Sequence, residues 1–233
     1  MIPRWYEVTA VFGGRFDPPH LGHREAVKGL FQEPGIQQVL IIPSAAPPHK
    51  NACVSAHHRL ALTHLAFESL VSDPLPPEIR IEERELTRAR LHPQSPSYSF
   101  DTLQELKQIY PRLAFVIGAD QLIQLHTWHR FPDLLNLCHW IVIQRKSESR
   151  ETTERVLSQW EASGMIRKGA HQSWQLKGSS HIIQLVSTDA PSLSSTEIRA
   201  SIMRTGQPPA GSLLPKVVEY LKQNRLYGMK DTP

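Results

Sequence analysis

Cysteine is scarce. The chain has two among 233 residues, Cys53 and Cys138, too few for a disulfide framework or a thiolate zinc site. Long apolar runs are missing too: stretches such as Val39–Ile42 and Trp140–Ile143 fall far short of the ~20 residues that a membrane-spanning helix needs. Met1–Ala10 holds no basic segment followed by an apolar one, so no secretion signal is read, and a soluble, cytoplasmic protein in a reducing compartment is expected. No run of five or more basic residues occurs. The formal charge of +4, from 26 Lys and Arg against 22 Asp and Glu, is spread too thinly for a nucleic-acid stripe. Neither nucleic acid nor membrane is therefore expected as a partner, and homo-oligomerisation is left open. The chain also lacks a Walker A Gly-Lys-Ser/Thr, a GxGxxG fingerprint, an elbow-type serine and a clustered carboxylate site. No protein-held metal is expected.

What is present is ordinary globular material, 40% hydrophobic and 21% charged, which excludes disordered and fibrous classes. Tyr6–Phe12 is a β-branched and aromatic run that stops at Gly13-Gly14 and predicts a buried strand with a tight turn. Leu21–Phe31 has helical spacing, and Val39–Ile42 predicts a second strand. Ser55 caps a helix through Leu70, and Ile79–Glu83 predicts a third strand. Arg84–Ser97, with Pro93 and Pro96, reads as an irregular connection. A helix from Ser99 or Asp101 to Tyr110, a strand over Leu113–Ile117, a helix over Trp128–Leu137 and a strand over Trp140–Gln144 follow. A helix over Thr152–Ala162 and a last strand over Ile182–Ser187 complete the alternation, while Lys146–Ser180 as a whole is the least readable stretch. Strands apolar on both faces and separated by helices predict an α/β fold, a Rossmann-like doubly wound parallel sheet. The tail, Ser194–Arg204 and Pro215–Leu226, predicts a helical C-terminal section. The expected organisation is one domain over 1–233, with a sheet core over 1–190 and the helical section over 191–233.

In such a sheet ligands bind beyond the carboxyl ends of the strands, which directs attention to GGRFDPPHLGH, Gly13 to His23. Gly13 and Gly14 let an anion approach the main chain. Pro18 and Pro19 suit helix entry, and helix amides favour phosphate. His20 and His23, three apart, share one helix face, and Gly22 clears space between them. Two imidazoles there suit phosphate or a metal. Asp17 is the only nearby third ligand for a metal, whereas phosphate also explains the glycines. A second anion-ready helix start is LSSTEIR, where Ser194 with Glu197 predicts a capping box, Ser195 and Thr196 fall in the first turn, and Arg199 offers a fork to phosphate. Two such helix starts in one α/β chain suit a polyphosphate between them.

The HxGH after the first strand and the downstream SSTEIR resemble the nucleotidylyltransferase superfamily. The whole chain is similar to bacterial nicotinate-nucleotide adenylyltransferases through Pro47-Pro48-His49-Lys50, Glu83-Arg84-Glu85-Leu86, Pro96-Ser97-Tyr98-Ser99, Gly118-Ala119-Asp120 with Leu122, and Thr127-Trp128. The resemblance implies adenylyl transfer from ATP, with Mg²⁺, to nicotinate mononucleotide. It assigns Gly13, Gly14, Phe16, His20, Gly22, His23, Lys50, Ser195, Thr196 and Arg199 to ATP, with His20, His23 and Arg199 as the catalytic set. Tyr98, Ser99, Asp120 and Trp128 fall to the mononucleotide, Trp128 near the pyridine ring. Three residues depart from the family pattern: Arg15 for Thr or Ser, Ser99 for Thr, and His129 where Tyr is frequent. An insertion around Leu91–Gln94 lengthens the loop before Tyr98.

A phosphomonoester with a second pKa near ~6 is already an anionic nucleophile at neutral pH, so the implied reaction needs alignment and charge stabilisation rather than a protein nucleophile. Preference for nicotinamide mononucleotide, a non-catalytic nucleotide sensor and a metal-dependent hydrolase stay open as alternatives.

Overall fold

The computed structural model describes residues 6–33, 35–45, 53–71, 77–145 and 150–230. Eight strands form one sheet: β1 (Val8–Gly14), β2 (Ile36–Pro43), β3 (Glu78–Ile81), β4 (Leu113–Gly118), β5 (His139–Arg145), β6 (Ile166–Lys168), β7 (Ser173–Leu176) and β8 (Ile182–Thr188). Their order is β3-β2-β1-β4-β5-β8-β7-β6. The six strands from β3 to β8 in that order pair in parallel. The last two, β7 and β6, are antiparallel. The expected wholly parallel sheet is corrected at this edge by a hairpin inside Lys146–Ser180. Its strands are three and four residues long, too short for periodicity to reveal.

Among the described residues eight α-helices complete the α/β pattern: α1 (Leu21–Leu30), α2 (Ala56–Val71), α3 (Arg84–Leu91), α4 (Ser99–Lys107), α5 (Ala119–Gln124), α6 (Arg150–Ala162), α7 (Ser195–Thr205) and α8 (Pro215–Gln223). Side chains alternate across a pleated strand, and here both faces are apolar. Ala10 and Phe12 of β1, Val39 and Ile41 of β2, and Val116 of β4 meet α1, α2, α7 and α8 on one side. Val11, Leu40, Ile42, Phe115 and Ile117 meet α4, α5 and α6 on the other. The winding direction reverses between β1 and β4, neighbours in space although β2 and β3 intervene in sequence. That reversal opens a crevice at the carboxyl ends, where α/β sheets bind ligands.

Two further expectations need correction. Arg84–Ser97 is helical over its first eight residues, with Glu85 and Leu86 turned inward. Glu85 in the first turn and Arg88 and Arg90 in the last complement the helix dipole. Trp128–Leu137 is not one helix: Arg130 has φ 59°, which interrupts it, and a 3₁₀ turn covers only Asp133–Leu137. The short α5 lies just before it.

Candidate active site

The first turn after β1 is built around three aromatic rings. Phe16 adopts φ 48°, a left-handed conformation uncommon for a bulky residue. This drives its ring into the core at 1% exposure, edge-on to His23 with centroids 5.2 Å apart and against Phe67 of α2. A Cβ on Gly14 would lie 2.7 Å from the Phe16 ring, so only glycine fits there. Arg59, buried to 1%, donates to the carbonyls of Arg15, Ser44 and Ala45. One α2 side chain thereby joins the loops that leave β1 and β2.

His20 is the N-cap of α1, and it forms a reciprocal box with His23. The His23 amide donates to His20 Nδ1 at 3.3 Å, and the His20 amide donates to His23 Nδ1 at 3.2 Å. With both Nδ1 atoms accepting, each neutral ring carries its proton on Nε2. The rings stack at 3.7 Å and 24°. Burial first, and then the Arg145 guanidinium, lowers the His20 pKa to about 4. Burial, then His20 and Arg145, holds His23 well below the ordinary imidazole value. At neutral pH the pair therefore presents two uncharged N–H donors. A Cβ on Gly22 would sit 3.0 Å from the His20 ring and 3.1 Å from the Pro191 carbonyl oxygen. The glycine lets α1 pack against the segment ahead of α7.

A cleft of about 480 Å³ opens over these residues. It brings together Gly13, Gly14, Phe16, His20, Gly22 and His23 with Ser195 and Thr196 from the start of α7, and with Tyr98, Ser99, Asp120 and Trp128. Tyr98 precedes α4 and stacks on His129 at 4.0 Å and 21°. Trp128 stands edge-on to Phe115 of β4, and Asp120 lies exposed in the first turn of α5.

Two of the expected residues stand apart from this set. Lys50, with Pro47-Pro48-His49, lies outside the described residues. Arg199 does not line the cleft. Its guanidinium, 8% exposed, donates to the Asp17 carbonyl at 2.7 Å and to Thr196 Oγ1 at 3.3 Å. Ser195 Oγ donates to the Pro18 carbonyl at 2.9 Å. The second motif thus docks the α7 terminus onto the first motif's turn. The capping box expected from Ser194 and Glu197 is not formed, since no side chain bonds the α7 cap.

The Asp17 carboxylate is engaged by protein donors. It is fully buried and accepts from Tyr227 Oη at 2.6 Å and the Cys53 amide at 2.9 Å. Burial and this carboxylate push the Tyr227 phenol well above its ordinary pKa, so the phenol remains a donor. Among the described residues no three His, Cys, Asp or Glu stand together as a metal site.

Several lining residues carry no site role in the sequence reading: Arg145, Gln121 and Gln124, and also Glu85 and Ser97, which enter it only within the motifs that carry the resemblance. Arg145 ends the apolar strand β5, so the carboxyl-end rule that selected Gly13 and Gly14 also finds it. Glu85 was hidden by reading its helix as a loop. It accepts from Thr102 Oγ1 at 2.9 Å, and burial raises its pKa. Gln121 caps its own helix, accepting from the Gly118 amide at 3.1 Å.

Comparison with known proteins matches residues 11–201 to the cytidylyltransferase-like family. A probable nicotinate-nucleotide adenylyltransferase of Pseudoalteromonas atlantica is 35% identical over 221 residues, 93% of each chain. One from Yersinia pestis is 35% identical over 229 residues, 95% of this chain and 96% of its own. The solved Plasmodium falciparum nicotinic acid mononucleotide adenylyltransferase, complexed with NaAD, superposes with a TM-score of 0.72 at 16% identity, over 97% of this chain and 99% of that one. At that identity the likeness is one of fold.

Proposed function

This chain belongs to the cytidylyltransferase-like family, and from that premise we propose that it transfers the adenylyl group of ATP to nicotinate mononucleotide, yielding deamido-NAD and pyrophosphate in NAD synthesis. The observation that carries this reading is the stacked His20–His23 pair at the sheet's reversal point, facing one cleft with the Tyr98, Asp120 and Trp128 cluster. Residues 1–233 act as one unit in it, because α7 and the turn after β1 form the triphosphate end jointly.

In this reading the mononucleotide's anionic 5′-phosphate oxygen attacks the α-phosphorus of ATP. The new P–O bond forms as the bond to the β-phosphate oxygen breaks, and pyrophosphate leaves with that electron pair. The chain supplies position and donors. The Nε2–H groups of His20 and His23, the Arg145 guanidinium and the Thr196 hydroxyl face the growing charge, while Ser195 Oγ, donating to the Pro18 carbonyl, holds the α7 terminus against the first turn. A removed donor in such a site costs ~10²–10³ in rate. Arg199 is assigned a positioning role through Asp17 and Thr196. Trp128 and Tyr98 offer flat faces to a pyridine ring. Mg²⁺ would arrive as part of the ATP complex: with Asp17 bonded to Tyr227 and Cys53, there is no carboxylate cage beside the histidines among the described residues, and phosphate oxygens and water suffice for this ion.

The test is incubation with ATP and Mg²⁺, with nicotinate mononucleotide, nicotinamide mononucleotide or no second substrate, following pyrophosphate and dinucleotide. The proposal expects equimolar products with nicotinate mononucleotide and none without a second substrate. ATP turnover alone would favour a hydrolase. Binding without turnover would favour a sensor.

A further inference from the structure

At the opposite ends of the strands from the catalytic cleft lies a second cavity of about 190 Å³. Lys107 closes α4, Tyr110 and Arg112 lie on the path into β4, His139 opens β5, and Ser180 and His181 lead into β8. Every one of these six side chains can donate a hydrogen bond, and no Asp or Glu lines the cavity among the described residues. The Ile182 amide donates to His139 Nδ1 at 3.2 Å, so the neutral ring has its proton on Nε2. Ser179 Oγ accepts from the His181 amide at 3.0 Å and lies 2.9 Å from its Nδ1. The two rings meet edge to face, centroids 5.2 Å apart. Arg112 is steadied by donating to the Tyr6 carbonyl and by stacking over the Tyr6 ring.

We propose that this cavity is a second anion site, taking a phosphate group, separate from the catalytic cleft. Two fixed cations and two imidazoles around a phosphate-sized space offer charge-assisted donors from several directions. The field inside has the matching sign: burial, then His181, lowers the His139 pKa to about 4, and burial, then Lys107, lowers that of His181. A bound dianion reverses the electrostatic part of both shifts. β5 runs from His139 to Arg145, so the two sites stand about 20 Å apart at ~3.3 Å per residue.

The test is a titration of histidine-labelled, full-length protein with inorganic phosphate at pH 7, followed by ring resonances assigned with His139→Asn and His181→Asn. Saturable millimolar shifts of both rings are expected, independent of any shift at His20 and His23. Lys107→Gln with Arg112→Gln, both at exposed positions, should weaken this binding at least tenfold and leave the rate of the cleft's reaction within twofold. Lys107→Arg should retain it. Glycerol phosphate is titrated in parallel: tighter binding than the free ion assigns the pocket to a phosphomonoester headgroup, equal or weaker binding to the ion itself, and either supports the site. Absence of saturable shifts at His139 and His181, or unchanged affinity in the double variant, overturns the proposal.

Discussion

ATP binding should draw a proton into the protein. In the unliganded site His20 has a pKa near 4 because its ring is buried beside Arg145, and His23 lies well below its ordinary value. Neither ring is charged at pH 7. One phosphate charge about 4 Å from the His20 ring, at an effective dielectric of about 20, favours the imidazolium by about 4 kcal/mol. At 1.36 kcal/mol per pH unit this is equivalent to about three units, which carries His20 from near 4 to about 7. The complex should then hold about half a proton more than the free protein. The stack at 3.7 Å keeps the second ring neutral, since two imidazolium rings at that distance repel. The assay is calorimetric titration with a non-hydrolysable ATP analogue and Mg²⁺ at pH 7, in buffers of different ionisation enthalpy. The slope of observed enthalpy against buffer enthalpy reads the uptake. We expect a slope of about half a proton, growing toward pH 6 and fading above pH 8, so affinity strengthens as pH falls through that window. In His20→Asn, which keeps an N-cap acceptor, the slope should collapse. A flat wild-type response, or one that survives the substitution, refutes the reasoning.

Acid should destabilise the free protein early. The unfolded chain binds a proton at His20 near pH 6.5 and the folded one only near 4. Stability is thus full above 6.5 and falls as pH drops toward 4, by about 2 kcal/mol at pH 5 from this residue alone; a urea midpoint unchanged between pH 7 and 5 would contradict it. Gly22→Ala forces a Cβ against the His20 ring and the unyielding Pro191 carbonyl, so kcat/KM for ATP should fall at least tenfold. Unaltered kinetics would show that α1 and the Pro191 segment can part without harm. Tyr227→Phe leaves a buried Asp17 oxygen without its 2.6 Å donor and should cost ~1–3 kcal/mol by denaturant titration. Equal stability of the two proteins would remove Tyr227 from this account.

β1, β2, β4, β5 and β8 were legible because each is an apolar run long enough to stand out, and Gly13–His23 because its chemistry is local: a strand ending in two glycines, the second with no room for a Cβ, and two histidines one helical turn apart. The antiparallel hairpin at Ile166–Leu176 was not, since its strands are shorter than any periodic window. Pro93 drew α3 into a loop reading, although Glu85 ahead of Arg88 and Arg90 marks a helix that ends before the proline. Arg199 shows a different limit. Its position in SSTEIR identifies a phosphate-facing residue type, but the choice between phosphate and the Asp17 carbonyl is made by a turn 182 residues earlier in the chain, which spacing does not encode. Arg145 lies within reach of the carboxyl-end rule as the last residue of β5, but only the sheet order places that end beside the histidines.

The central claim is direct transfer, in which the mononucleotide's own phosphate oxygen displaces pyrophosphate and no side chain is adenylylated. The stereochemical course tests it most directly. ATP bearing a chiral α-phosphorothioate is turned over with nicotinate mononucleotide, and the configuration of the product dinucleotide is determined. A single in-line displacement gives inversion at the α-phosphorus, and retention, which requires two displacements through a covalent adenylyl-protein, would contradict the account.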